Sequence, residues 1–203
     1  MSAINHNLKS IFIHIAKCGG TSLSSFEWNK GNGHKTYLDF DKDLENIQEY
    51  FVWSFVRNPW ARTVSAFEDC PELHQFVPDF EAYVNILYKH KSIFDKNSIS
   101  ENMGLIPEIP IGRIHFWPAH LCLKNKNGEL KADFVGKLEN IESDFERVCK
   151  KLKVNFVVPP KRNKREGKKG RKNSFYKDLY NDSLINKVGE IYKKDIEIFN
   201  YNY

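Results

Sequence analysis

The sequence predicts an α/β fold with a largely parallel sheet, and three observations support this prediction. Two short apolar runs, residues 10–15 and 51–56, have the length and the aromatic and β-branched content of buried strands. Each run is followed by a turn or a capping residue and then by a segment with helical character. Strands that alternate with helices are typical of a parallel sheet, in which ligands bind beyond the carboxyl ends of the strands.

The remaining elements follow from local signals along the chain. Asn58 can cap a helix that has Pro59 at its first position. Two glycines and two prolines predict an irregular excursion over residues 92–113. The predicted strands cover residues 10–15, 51–56 and 132–136. The predicted helices cover residues 21–29, 41–50, 59–68, 79–91, 141–152 and 183–199.

Length and composition predict one domain over residues 1–203, because 203 residues that are 41% hydrophobic can bury one sizeable core. No apolar run reaches transmembrane length, and residues 1–9 lack the apolar core of a signal peptide. The four cysteines are scattered and form no CxxC pair, which favours reduced thiols. These features predict a cytoplasmic protein of undetermined oligomeric state.

The positive charge is concentrated in one basic loop, residues 160–173. This loop holds eight Lys and Arg residues against Glu166 alone, a charge of +7, so the rest of the chain, whose total is +5, carries −2. The loop is interpreted either as a solvated surface segment or as a platform for an anionic acceptor, with peripheral contact through its charges. Nucleic acid is not expected, because aromatic residues are not interleaved with the charges.

The first strand leads into a motif that can form an anion cradle. Backbone N–H groups, a helix start, Lys17 and the hydroxyls of Thr21 and Ser22 converge there. No Lys directly precedes Thr21 or Ser22, so the spacing differs from that of nucleoside triphosphatases. Ser24 stands where a cysteine phosphatase with Cys18 as nucleophile would carry its arginine. An ordinary strand, glycine turn and helix is the alternative interpretation.

The second strand leads into a comparable motif. Arg57 leaves a very apolar strand at the start of a helix, and a charge in that position needs a partner. Ser65 lies two turns along the same helix. Arg62 is interpreted as a solvated charge on the outer face of that helix.

With both motifs considered, the chain resembles carbohydrate-directed sulfotransferases, of the family 2 type. The first motif is similar to their 5′-phosphosulfate loop, and the second is similar to their 3′-phosphate motif. The resemblance covers most of the chain in the right order. It includes the segments IHIAKCGGTSL (residues 13–23), FVRNPWARTVSAF (55–67), DFVGKLENI (133–141) and YKKDIEIFNY (192–201).

The resemblance implies a P-loop-like three-layer fold, 3′-phosphoadenosine 5′-phosphosulfate as donor, 3′,5′-bisphosphoadenosine as product, and no metal. Lys17 would stabilise the charge on the leaving phosphate, and the basic loop would close over the donor. Departures from the family pattern are Ala16 and Cys18 in the first motif, and Ala119 and His120 after Pro118. The residues implied to hold the donor are Lys17, Cys18, Gly19, Gly20, Thr21, Ser22, Arg57 and Ser65.

The acceptor hydroxyl needs a general base, and histidine is the usual one. His34 matches in position a histidine that related carbohydrate sulfotransferases carry between their two phosphate motifs, and it is the leading candidate. His115 and His120 are the alternatives. The predicted function is sulfuryl transfer to a hydroxyl, on a carbohydrate, by in-line displacement. A non-catalytic nucleotide- or polyanion-binding protein and a P-loop nucleotide kinase are the alternative functions.

Overall fold

The chain forms two compact units, each assembled from two separate stretches of sequence. The first unit contains Met1–Arg57 and Cys122–Arg165, and the second contains Asn58–Leu121 and Glu166–Tyr203. The prediction of a single domain remains a prediction. The computed structural model describes residues 1–31, 33–69, 71–95, 106–110, 113–160 and 173–203. Residues 161–172 of the predicted basic loop (160–173) and residues 96–105 and 111–112 of the predicted excursion (92–113) lie outside the described residues.

A four-stranded sheet organises the first unit. Its strands lie in the order of the sequence, with β1 antiparallel to β2 and the other neighbours parallel. This arrangement confirms the predicted α/β class with a mainly parallel sheet. The strands are β1 (Ala3–Asn5), β2 (Ser10–Ile13), β3 (Phe51–Val56) and β4 (Phe134–Lys137).

Helices cover this sheet through large aromatic side chains. Trp53 of β3 packs 6.1 Å from the ring of Phe145, which belongs to the twelve-residue helix predicted from its apolar spacing. The polar groups beneath these rings are satisfied: Trp53 Nε1 donates to Ser10 Oγ at 2.9 Å, and Ser54 Oγ donates to the carbonyl of Ile13 at 2.7 Å. The helices of the first unit are α1 (Gly20–Leu23), α2 (Tyr37–Asp43) and α6 (Ile141–Leu152).

The second unit is helical, and its core holds residues from α3, α4, α5, α7 and α8. Asn58 caps α3 as predicted, since its side chain accepts hydrogen bonds from the N–H groups of Trp60 and Ala61. Asp79 caps α4 through the N–H of Ala82. These helices are α3 (Pro59–Glu68), α4 (Phe80–Lys89), α5 (Ala119–Cys122), α7 (Asp182–Ile191) and α8 (Lys193–Phe199).

Several predicted helix boundaries were wrong. The helix predicted over residues 21–29 is one turn of α-helix followed by a 3₁₀ segment, Glu27–Asn29. The helix predicted over 183–199 is broken at Tyr192 into α7 and α8. The amino-terminal strand β1 was missed, because three residues are too short for a periodic signal.

Candidate active site

Three parallel strands of the first unit end at one edge of the sheet. Ile13, at the end of β2, pairs with Ser54, and Val56, at the end of β3, pairs with Lys137 at the end of β4. The chain leaves β2 through residues 14–20, which we call the first junction. It leaves β3 through residues 57–59, the second junction. Ligands of parallel sheets bind at this edge, so the junctions are where a site is expected.

The first junction is held in a strained conformation. Lys17 has φ 68° and Gly19 has φ 82°, both in the left-handed region. For a residue with a side chain this conformation costs about 1–2 kcal/mol. Among the described residues, the other non-glycine residues with positive φ are Lys9, Lys153 and Asn200, of which the last two end helices. A left-handed residue with a long side chain in a turn after a parallel strand is a backbone outlier of the kind that clusters at functional sites.

The backbone N–H groups at the start of α1 are the candidate donors of this loop. Among the described residues, none supplies a hydrogen-bond acceptor to the N–H groups of Gly19, Gly20 or Thr21. Left-handed residues in such a turn direct successive N–H groups toward one point, which suits an anion. Because α1 is only four residues long, its macrodipole contributes little, and the cradle depends on these N–H groups and on Lys17.

The backbone angle at position 19 and a neighbouring ring at position 20 favour glycine at both places. A Cβ atom on Gly19 would lie 2.6 Å from Leu138 Cδ1, and the φ of Gly19 disfavours other residues as well. A Cβ on Gly20 would lie 1.8 Å from Cδ2 of His14. The ring of His14 therefore rests directly on the backbone of the loop.

The remaining loop residues occupy different environments. Cys18 is buried, with its thiol 3.6 Å from the carbonyl oxygen of Ala16, so its side chain faces the protein interior. The N–H of Cys18 donates to the carbonyl of Ile15 at 3.3 Å. Thr21 is exposed, whereas Ser22 is buried. The assignment of these residues to a donor stays a prediction.

Arg57 and Ser65 belong to different units. Arg57 is half-buried and directly follows β3 in the first unit, at the edge that also carries the first junction. Ser65 is half-buried on α3 of the second unit. Their joint role at a 3′-phosphate stays a prediction from sequence.

His34 is adjacent to the first junction. Its ring stacks on the ring of His14, with centroids 4.5 Å apart and planes at 30°. Its Nδ1 lies 3.3 Å from the carbonyl oxygen of His14, which can only accept, so Nδ1 carries the proton and Nε2 the lone pair. Burial lowers the pKa of His34, the hydrogen bond to His14 raises it, and the amino terminus lowers it, so that the net direction is downward. The ring is therefore neutral at pH 7, although its other face is exposed.

The alternative base His120 is located in the core of the second unit. It is 2% exposed, and its Nδ1 donates to Oδ1 of Asp195 at 2.6 Å. Asp195 also accepts from the N–H groups of Ala119 and His120, so it caps α5. This arrangement indicates a structural role for His120. Asp195 lies 75 residues away in sequence, and no local signal connected the two. His115, the other alternative, is half-buried at the end of a 3₁₀ segment.

The interpretation of Arg62 as a solvated charge was wrong. Arg62 is 3% exposed, and its Nη2 donates to the carbonyl oxygen of Trp117 at 2.5 Å. Its guanidinium lies 5.9 Å from the centre of the Tyr192 ring, which gives the buried charge an aromatic partner. Helical spacing alone could not show that this face of α3 is covered.

Within the described ranges, no three His, Cys, Asp or Glu side chains cluster in a way that could hold a metal ion. In the same ranges, no helix is long and apolar enough to cross a membrane.

A model of the sulfotransferase family matches residues 2–202, a span that includes both junctions. No curated protein and no solved structure matches the chain.

Proposed function

Because the chain belongs to the sulfotransferase family, we propose that it transfers a sulfuryl group from 3′-phosphoadenosine 5′-phosphosulfate to a hydroxyl of a carbohydrate acceptor. The observation that supports this proposal best is the first junction, where Lys17 is strained and three N–H groups lack acceptors among the described residues. The neutral ring of His34 lies next to this loop. An anion site beside a base suits group transfer from an anionic donor to a hydroxyl.

The composition of the first junction fits the 5′ end of this donor. Gly19 and Gly20 leave the backbone uncovered, so the oxygens of a phosphosulfate could approach the N–H groups of Gly19, Gly20 and Thr21. Lys17 adds a positive charge, and the hydroxyls of Thr21 and Ser22 extend the set. The second motif adds Arg57 and Ser65 as ligands of the 3′-phosphate, an assignment that rests on sequence. When bound, the donor supplies the sulfuryl group and an anionic leaving group.

Lys17 and His34 have different roles in the proposed reaction: Lys17 stabilises charge, and His34 accepts a proton. Lys17 stabilises negative charge that develops on the leaving phosphate, the main requirement in transfer reactions with a loose transition state. His34 accepts the proton of the attacking hydroxyl at Nε2, because Nδ1 already donates to the carbonyl of His14. This orientation requires no change of tautomer before the reaction.

The carbohydrate acceptor follows from the resemblance to carbohydrate-directed members of the family. The basic loop, residues 160–173, would favour acidic or sulfated sugars through its charge of +7. The four cysteines are scattered along the sequence and form no CxxC pair, which supports the further proposal of a reducing, cytoplasmic location.

Ligand-dependent thermal stability tests the donor class. A ligand at 100 times its dissociation constant stabilises the folded state by ~2.7 kcal/mol. We expect 3′,5′-bisphosphoadenosine to raise the melting temperature and ATP with Mg²⁺ to leave it unchanged. The reverse result would reject the proposal in favour of a nucleotide kinase.

An acceptor screen with sulfur-labelled donor tests the reaction itself. Transfer of label to neutral or acidic oligosaccharides supports the proposed enzyme. Stabilisation by 3′,5′-bisphosphoadenosine without transfer to any acceptor supports the alternative of a non-catalytic nucleotide-binding protein.

A further inference from the structure

From the contacts of His14 we infer a further positioning residue: its ring connects the anion-binding first junction to the base His34. This inference rests on the proposed function. It concerns a residue to which the two phosphate motifs assign no role. His14 directly follows β2, so its position is fixed by the sheet.

On one side, the His14 ring contacts the loop. A Cβ on Gly20 would overlap the ring, at 1.8 Å from Cδ2 and 1.9 Å from Nε2. Real Cβ atoms essentially never approach another atom so closely, so the ring and the backbone of Gly20 fix each other's position. A displacement of Gly20 toward the ring must also move the ring.

On its other side, His14 holds His34 through two contacts. The two rings stack at 4.5 Å, which sets the plane of the His34 ring. The carbonyl oxygen of His14 meets Nδ1 of His34 at 3.3 Å, which sets its tautomer. A substitution at position 14 removes the ring and leaves the carbonyl, so the two contacts can be separated experimentally.

His14 is itself anchored, whereas His34 lies in a turn. The N–H of His14 donates to Ser2 Oγ at 2.9 Å, and its ring also stacks on Phe12 with centroids 6.1 Å apart. His34 follows Gly33, a left-handed glycine with open space around it. The anchored ring of His14 therefore restricts the position of the His34 ring.

The stack has a consequence for protonation. The titratable groups that face His34 are the ring of His14 and the amino group of Met1, whose pKa burial lowers to about 6. Burial is the largest cause of the lowered pKa of His34, and the stacked ring of His14 covers one face of the His34 ring. Removing the ring exposes His34, and its pKa then rises toward the ordinary histidine value. A larger fraction of the base is then protonated near neutral pH, so the acid limb of the rate profile moves to higher pH.

The test compares His14→Ala with His14→Phe. Phenylalanine keeps an aromatic ring for stacking, whereas alanine removes it. NMR titration of His34 in the ligand-free protein is expected to show a higher midpoint for His14→Ala than for His14→Phe and wild type. Turnover at pH 7 is expected to fall ~10–100-fold for His14→Ala, with a smaller loss for His14→Phe. An unchanged His34 midpoint and unchanged turnover in His14→Ala would overturn the inference.

A double-mutant cycle tests the contact with the loop without any activity measurement. Gly20→Ala is expected to lower the melting temperature, because the new Cβ displaces the ring. The double variant His14→Ala with Gly20→Ala is expected to melt above Gly20→Ala alone, since the space beside position 20 is then released. Strictly additive effects would refute the contact.

The two proposals can fail independently. If wild type transfers no sulfuryl group to any acceptor while the titration and the cycle behave as expected, the proposed function fails and the coupling through His14 stands. If transfer occurs but the midpoint of His34 and the cycle show no coupling, the function stands and the inference fails.

Discussion

The two junctions differ in whether the first N–H groups of their helices have hydrogen-bond acceptors. At the second, Asn58 accepts hydrogen bonds from Trp60 and Ala61, and Pro59 has no N–H to satisfy. At the first, the N–H groups of Gly19, Gly20 and Thr21 find no acceptor within the described parts of the chain. One junction is complete within the protein. The other leaves three N–H groups without an acceptor among the described residues and holds Lys17 in a strained conformation.

The largest effect is expected next to the first junction, at His34. His34→Ala removes the proposed base and should lower turnover by ~10²–10⁴-fold, the usual contribution of a positioned base. Affinity for 3′,5′-bisphosphoadenosine should stay within ~2-fold of wild type, an expectation consistent with a base that serves the acceptor. Steady-state kinetics and calorimetric titration measure the two quantities.

His6→Ala is the matched control for this change. His6 is in the same unit and contacts the hydroxyl of Tyr50 at 2.6 Å, in the turn between β1 and β2. Its loss should leave turnover close to that of wild type. Near-normal turnover in His34→Ala would remove His34 from the mechanism and leave the half-buried His115 as the next candidate.

Two substitutions of Lys17 test whether the strained conformation at the first junction is kept for the sake of function. Both Lys17→Ala and Lys17→Gly remove the charge, and we expect a loss of ~10²–10³-fold in turnover for each. Glycine relieves the left-handed strain and alanine does not. Lys17→Gly should therefore be more stable than Lys17→Ala by about 1 kcal/mol, or about 2–4 °C in melting temperature.

The two Lys17 variants separate two explanations. Equal stability would mean that the loop carries no strain at position 17. Normal turnover in either variant would mean that this charge does not act on the leaving group. Thermal unfolding and initial rates give the answers independently.

Arg57 tests the contribution of the second junction to binding. A charge-assisted hydrogen bond to a phosphate contributes roughly 1.5–3 kcal/mol. Arg57→Ala should therefore weaken binding of 3′,5′-bisphosphoadenosine by ~10–100-fold. Binding of 5′-AMP, which lacks the 3′-phosphate, should change little.

Arg147→Ala removes an equal charge from the same unit and serves as the control. Arg147 is exposed on α6, where it lies over the ring of Phe134. Its loss should leave both affinities near wild type. Equal weakening of both ligands by Arg57→Ala would assign the arginine to a general electrostatic role.

The sequence predicted the strands and helices that have strong local signals. β3 was predicted to the residue, and so were the start of α3 at Pro59 and the span of α6. Each has a continuous apolar run, a cap or a clear helical period. α1 was predicted too long, because a glycine turn followed by hydroxyl residues does not reveal where a short helix ends.

The site was less predictable than the fold, because contacts distant in sequence determine it. Motifs predicted the loop of Lys17 and the candidate base His34, but they did not predict that the ring of His14 contacts both. Twenty residues separate the two stacked histidines, and no periodicity relates them. The pair of His120 and Asp195 shows the same limit over a longer separation.

The smallest effect is expected at the completed junction. Asn58→Ala removes the cap of α3 and should lower the stability by about 1 kcal/mol. Asn58→Ser keeps an oxygen acceptor and should recover most of that loss. Asp79→Ala, which removes the cap of α4, should cost a similar amount. If Asn58→Ala left the melting temperature unchanged, the cap would contribute nothing to stability. The difference between the capped second junction and the first junction, whose N–H groups lack acceptors among the described residues, would then have no energetic basis.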